Sequence, residues 1–180
     1  MKKILLINGS PRYEGNTRLI LQELKREIDK KGYKTDFVDL YDTVVNPCLN
    51  CDFCKNNHGR CFMNDDTNDL LDKIEGADII LWGSPVYWWG ITAKMKLLID
   101  KFYARDDRFK TLKKEMGLIT IGANDLSDKQ YELIKEQFTC IADYLGWTLS
   151  FYLPLSAYEA GEIMKDNQVI EAIYNIADSI

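Results

Sequence analysis

Five apolar runs, Lys2–Asn8, Tyr33–Asp39, Ala77–Gly83, Met116–Gly122 and Thr148–Leu155, alternate with segments whose apolar residues recur at helical spacing. This alternation leaves the chain few folds to choose from. In Thr17–Lys31, Leu19, Ile20, Leu24 and Ile28 share one face, and Gly32 follows in the position of a C-terminal cap. Thr67–Glu75, Thr92–Tyr103, Ser127–Leu145 and Asp166–Asp178 supply four further helices. Strands joined through helices of this length form right-handed βαβ crossovers, which need a parallel sheet covered on both faces. The expected fold is α/β: a three-layer sandwich around a five-stranded parallel sheet in the doubly wound order 2-1-3-4-5.

A chain of 180 residues with 46% hydrophobic content suits one domain with a substantial core. No repeat, low-complexity tract or linker marks a boundary, so one domain is expected over residues 1–180. Twenty-three basic against twenty-eight acidic residues give a net charge of −5 with no basic stripe. Nucleic acid and polybasic membrane attachment are therefore not expected as partners. The opening apolar run, Ile4–Ile7, is ended by Asn8-Gly9 and reads as a buried strand rather than a signal peptide. No stretch approaches the roughly 18 apolar residues of a membrane span. A cytoplasmic location follows as the expectation, with thiols kept reduced.

One connection breaks the rhythm. Leu40–Asp66 is far longer than an ordinary strand-to-helix loop, and this insertion at about 40–66 holds Cys48, Cys51, Cys54 and Cys61. A C-x2-C-x2-C-x6-C run gathers four soft ligands around one small volume. Successive x2 spacings resemble the run that grips a [4Fe–4S] cube, while zinc loops more often split into two separated pairs. Zinc and free or disulfide-forming thiols stay open as alternatives. Lys55, His58 and Arg60 lie within the loop and read as solvated charges, the alternative being positive charge that eases reduction of a thiolate-bound cluster. Cys140, among Phe138, Ile141 and Leu145, reads as a buried structural thiol.

The first strand runs into Gly9-Ser10-Pro11-Arg12-Tyr13-Glu14-Gly15-Asn16-Thr17, which opens a helix. Glycines allow tight turning. Backbone N–H groups, the side chains of Ser10, Asn16 and Thr17, and the positive end of the helix can all hold a phosphate, with Arg12 and Arg18 adding charge. There is no Lys-Ser/Thr of a nucleoside-triphosphatase loop and no G-x-G-x-x-G, so a terminal monophosphate fits better than a pyrophosphate. The plainer alternative is a strand-to-helix turn with Asn16 or Thr17 as N-cap.

After the third strand, Ser84-Pro85-Val86-Tyr87-Trp88-Trp89-Gly90 places three aromatics on a turn. Their faces can stack on a flat ring, and backbone N–H groups beside Pro85 can bond its polar edge; burial or an interface is the alternative. In the order 2-1-3-4-5, the loops after strands one and three flank the switch-point crevice. A phosphate grip opposite a flat-ring platform describes flavin mononucleotide, with Gly122-Ala123-Asn124-Asp125 along the far side of the ring. The long insertion leaves strand two toward this same edge.

Taken together, Gly9-Ser10-Pro11-Arg12 with Asn16-Thr17, the cysteine run with Asp65-Asp66, and Gly83-Ser84-Pro85-Val86-Tyr87-Trp88 with Lys94-Met95-Lys96 and Asp100 resemble the flavodoxin-like NAD(P)H-dependent FMN reductases, specifically their iron–sulfur flavoprotein branch. The resemblance covers the chain to about residue 125. It implies that Ser10, Arg12, Asn16 and Thr17 hold the FMN phosphate and that Pro85, Val86, Tyr87 and Trp88 contact the isoalloxazine. It implies too that Cys48, Cys51, Cys54 and Cys61 ligate a [4Fe–4S] cluster; Gly122 is expected along the ring from the loop reading above. No acid–base residue is required, since the flavin carries the chemistry. The expected function is electron transfer from NAD(P)H or reduced ferredoxin to a quinone, a nitro compound, oxygen-derived species or another redox protein; because strand two is peripheral to the crevice, the topology points to pairing of the two centres across a homodimer or homotetramer. A cluster-free FMN reductase and a non-enzymatic flavin-binding regulator or shuttle are the competing readings.

Overall fold

A computed structural model describes residues 2–180. Strands β1 (Lys3–Asn8), β2 (Lys34–Asp39), β3 (Ile79–Pro85), β4 (Glu115–Gly122) and β5 (Thr148–Ser156) form one parallel sheet in the order β2-β1-β3-β4-β5. The expected topology is therefore the observed one. Helices α1 (Asn16–Lys30) and α6 (Asn167–Ser179) cover one face. Helices α2 (Thr67–Gly76), α3 (Ala93–Asp100) and α5 (Lys129–Leu145), with the single turn α4 (Asp106–Phe109), cover the other.

Apolar runs explain the layering. In β1, Leu5 and Ile7 join the core under α2, α3 and α5, while Ile4 and Leu6 join the core under α1 and α6. β3 divides likewise, with Ile80 and Trp82 on one side and Ile79 and Leu81 on the other. Central parallel strands are buried on both faces and read as continuous hydrophobic runs. The edge strand β2 alternates between exposed and covered residues. At Gly83 a Cβ would lie 2.6 Å from Leu21 Cδ1, so α1 sits closer to the sheet there than any side chain would allow.

Three details differ from the sequence reading. The helix expected over Thr92–Tyr103 ends at Asp100 and tightens into a 3₁₀ turn, Lys101–Ala104, before α4. The tightening directs Phe102, Ala104 and Phe109 into the core, and it leaves Lys101 and Arg105 buried beside the insertion. β3 extends to Pro85, which is tolerated because the next ladder donor is the N–H of Val86, bonded to Ile121 O at 2.8 Å. Cys140 is exposed, not buried. The inward face of α5 is set by Ile134, Phe138, Ala142 and Leu145, and residue 140 points away from it. Among the described residues, no helix is long and apolar enough to cross a membrane.

Phe138 is 1% exposed and meets the Trp82 ring edge-on at 5.9 Å. Phe138→Ala should lower unfolding free energy by about 3–5 kcal/mol, whereas Cys140→Ser should stay within about 0.5 kcal/mol of the parent. Urea denaturation of both variants checks the pair.

Candidate functional site

At the carboxyl ends of β1, β3, β4 and β5 the loops enclose a cleft of about 440 Å³, within the range of small-molecule sites. Ser10, Arg12, Asn16 and Thr17 line one wall, Pro85, Val86 and Tyr87 another, and Gly122 with Ala123 a third. The structure thus brings together eight of the nine residues expected around a flavin. Trp88, the ninth, stands outside the lining and is 92% exposed. The fourth wall, Ala157–Ala160, follows β5 and carries no motif that a sequence reading would single out.

The wall after β1 is built from backbone outward. Asn8, fully buried, donates to Asp39 Oδ1 at 3.2 Å and accepts from Ser10 N at 3.0 Å; Ser10 Oγ accepts from Arg12 N at 3.2 Å. Gly9 N donates to Gly83 O at 2.8 Å, and a Cβ on Gly9 would lie 2.8 Å from Met95 Cε. Thr92, which the sequence did not flag, locks the two loops together. Its hydroxyl donates to Gly9 O at 2.8 Å, and its N–H donates to Ser84 Oγ at 3.1 Å.

Neither Asn16 nor Thr17 caps α1. Gly15 is the N-cap, without a side-chain cap bond, and the first turn holds no acidic residue. Helix N–H groups at that end therefore have no capping side chain and favour an anion. Asn16 instead braces the fourth wall. Its Nδ2 donates to Glu159 O at 2.9 Å and its Oδ1 accepts from Gly161 N at 2.7 Å, tying the loop after β5 to the start of α1. Arg18 is also engaged elsewhere, paired with Asp39 at 2.8 Å and lying 3.8 Å over the Tyr13 ring. Burial opposes its charge, but the bonds to Tyr13 and Asp39 outweigh burial and raise its pKa. Arg12 is the guanidinium left on the cleft wall.

Opposite, Tyr87 N donates to Gly90 O at 2.9 Å and Gly90 N to Tyr87 O at 3.0 Å, closing a two-residue turn on Trp88 and Trp89. Both have positive φ, 48° and 60°. Such turns favour Asn-Gly, and a bulky residue at positive φ is strained. The N–H groups of Val86 and Tyr87 are thus both engaged, with Ile121 O and Gly90 O, and are not free for a ligand edge as the sequence suggested.

The cysteine insertion is closed at its base by two aspartates. Val44 N donates to Asp66 Oδ2 at 2.6 Å and Asp66 N to Val44 O at 2.9 Å. Asn46 donates to Asp65 through its backbone at 2.9 Å and its side chain at 3.0 Å. Burial pushes the Asp65 carboxyl up, but the donors of Asn46 and Thr67 outweigh it and hold the group below the usual carboxylate range. Beyond this staple, all four clustered cysteines line one cavity of about 20 Å³ with Met63, Lys101 and Tyr103. Cys48 and Cys51 are exposed, Cys54 and Cys61 partly buried.

Arg105 fastens the insertion to the body of the fold. It donates to Gly59 O at 3.3 Å while pairing with Asp72 at 2.6 Å and Glu75 at 3.0 Å. Of the loop charges, Lys55 pairs with Asp106 and Arg60 with Asp72. Burial raises the Cys54 pKa, with Lys55 opposing it. Among the described residues, no group of three or more His, Cys, Asp or Glu stands preformed as a metal site. The cavity has room for about one water.

Residues 2–138 match the sequence profile of the NADPH-dependent FMN reductases. The chain belongs to that family. Among its relatives, an iron–sulfur flavoprotein of Methanocaldococcus jannaschii is 39% identical over 122 residues, which are 68% of this chain and 63% of that protein. The chain thus spans less than two thirds of that flavoprotein's length. A Bacillus subtilis protein named as a candidate NAD(P)H-dependent FMN-containing oxidoreductase is 26% identical over 177 residues, 94% of this chain and 93% of that one. A solved structure from Streptococcus mutans superposes with a TM-score of 0.76 over 99% of this chain and 100% of that one, at 18% identity. That last likeness is one of fold alone. It agrees with the flavodoxin-like sheet order described above.

Replacing Trp88-Trp89 by Asn-Gly should raise unfolding free energy by about 1–3 kcal/mol through release of turn strain, read by thermal or urea denaturation. Asn16→Ala should leave the fold intact and speed amide hydrogen exchange at residues 159–161, measured by mass spectrometry.

Proposed function

We propose that this protein is an FMN-dependent oxidoreductase of the iron–sulfur flavoprotein type, moving electrons between NAD(P)H or ferredoxin and a small-molecule or protein acceptor. The observation that carries the reading is the cleft itself. An uncapped helix N-terminus and Arg12 stand on one wall, and Pro85 with the Tyr87 ring on another, at the switch point of a doubly wound sheet.

FMN supplies the hydride and single-electron chemistry when bound. The chain's own residues bind and orient. Arg12 and the N–H groups at the start of α1 neutralise the dianionic phosphate, and the Ser10 and Thr17 hydroxyls lie on the same wall. Asn16 acts at one remove, holding the Ala157–Ala160 wall in place through Glu159 and Gly161. Pro85, Val86 and Tyr87 offer ring and aliphatic faces to the isoalloxazine. Gly122 lines the β4 side of the cleft, and the lack of a side chain there lets the start of α5 pack close, since a Cβ would lie 2.7 Å from Gln130 Nε2 and 2.8 Å from Tyr131 Oη. Trp88, outside the cleft, is assigned to the mouth rather than to the ring-binding wall.

Cys48, Cys51, Cys54 and Cys61 are the ligand set for a [4Fe–4S] cluster. Their softness and number suit such a cluster, and all four line one cavity. The insertion starts at the flavin edge of the sheet, but its cysteine cavity packs on Lys101, Tyr103 and Ala104, past the far end of α3. That end lies ~12 Å along the helix from Ala93, and the two cavities share no lining residue. Separation of this kind favours exchange between the two centres of different subunits, hence a homodimer or homotetramer.

Anaerobic purification with flavin, iron and acid-labile sulfide analysis tests the reading. Flavin together with iron and sulfide is expected; flavin alone would leave the cluster-free reductase, and protein with no affinity for FMN would overturn the proposal. Cys51→Ser should lose iron and sulfide while keeping flavin. Arg12→Ala should weaken FMN binding about ten- to a hundredfold, the range of a charge-assisted hydrogen bond, measured by flavin fluorescence quenching.

A further inference from the structure

Among the described residues, three cationic side chains are buried: Lys101, Arg105 and Lys114. Two have ordinary partners. Arg105 pairs with Asp72 and Glu75, and Lys114 donates to the carbonyls of Glu75 and Ala77 at the end of α2. Lys101 differs. It is 2% exposed, and its Nζ lies 3.3 Å from Met63 Sδ and 3.7 Å from Cys61 Sγ, with no carboxylate or carbonyl among its partners in the described residues. Its ammonium is thus turned into the wall of the four-cysteine cavity.

A buried ammonium facing neutral sulfur is poorly compensated, since thiol and thioether are weak acceptors. Full compensation requires negative charge at the sulfurs, which a thiolate-bound metal centre supplies and a disulfide does not. The location is also specific. The 3₁₀ turn after α3 is what carries Lys101 inward, whereas Lys55 and Arg60, on the loop itself, are already neutralised by Asp106 and Asp72.

We infer that Lys101 is the fixed counter-charge of the cysteine site: a positioning residue that offsets an anionic thiolate-bound group and makes it easier to reduce. The inference rests on the proposed cluster reading. Reduction adds one electron to the site, with no bond made or broken, and so adds one unit of negative charge. A cation held nearby stabilises the reduced form more than the oxidised form. Because the cation is buried, bulk salt screens it little.

Redox potentiometry with dithionite as reductant, followed by electron paramagnetic resonance, tests this on the reconstituted protein and on Lys101→Met, Lys101→Arg and Arg60→Gln. Lys101→Met should move the midpoint potential to a more negative value, at both low and high salt. Lys101→Arg, which keeps the charge, and Arg60→Gln, which removes an exposed one, should stay near the parent. Loss of iron and sulfide from Lys101→Met with retention in Lys101→Arg supports the same assignment. An unchanged potential in Lys101→Met, or equal loss of iron from the Met and Arg variants, overturns it. A parent protein that takes up no iron or sulfide on reconstitution would instead remove the cluster reading, and the role of Lys101 with it.

Discussion

The N–H of Gly9 meeting the carbonyl of Gly83 at 2.8 Å is the contact on which the flavin-side architecture depends. It holds the ends of β1 and β3 together beyond their paired registers, and the space is tight: a Cβ on Gly9 would lie 2.8 Å from Met95 Cε, 3.1 Å from Thr92 Oγ1 and 3.2 Å from Gly83 O. Thr92 adds a second tie, to Gly9 O and Ser84 Oγ. With these loops fixed, the start of α1 and the Pro85–Tyr87 segment face each other across a cleft whose width is set by strand pairing rather than by flexible side chains. Sites carried by rigid elements hold their geometry better than sites on free loops.

The cysteine insertion follows a different logic. Its segments carry little regular structure, and its order comes from charged and polar ties: Asp65 and Asp66 at the base, Asn68 against Cys61, and Arg105 reaching Gly59. Three non-glycine residues in it, Asn50, Asp52 and His58, have left-handed backbone. Asparagine and aspartate tolerate that region well, so the conformation is encoded by residue type rather than by core packing. One module is thus a hydrophobic scaffold and the other a polar appendage bolted to its α2–α3 face. Lys101 is where the two meet.

Much of this was legible in the residues. Ile4–Ile7 and Ile79–Trp82 read as buried parallel strands because both faces of each are covered. The glycine- and hydroxyl-rich loop after β1 and the cysteine spacing marked the two sites. What escaped the sequence was set by contacts between distant positions or by dihedral angles. Asn16 reads as a phosphate ligand or helix cap, and only the folded chain shows its amide engaged with residues 143 and 145 positions away. Trp88-Trp89 reads as a stacking platform, yet its geometry is that of a strained turn directed outward. Lys101 carries no signal in the sequence that marks it as buried; its burial depends on the 3₁₀ turn, which apolar periodicity does not report.

The flavin side as a whole requires a phosphate seated at the uncapped end of α1. Calorimetric titration of the flavin-free protein with FMN and, separately, with riboflavin isolates that group, because the two ligands share the ring and differ only in the phosphate. FMN should bind at least tenfold more tightly than riboflavin, and the difference should shrink as salt rises. Equal affinity for the two, or no binding of either, would contradict the account.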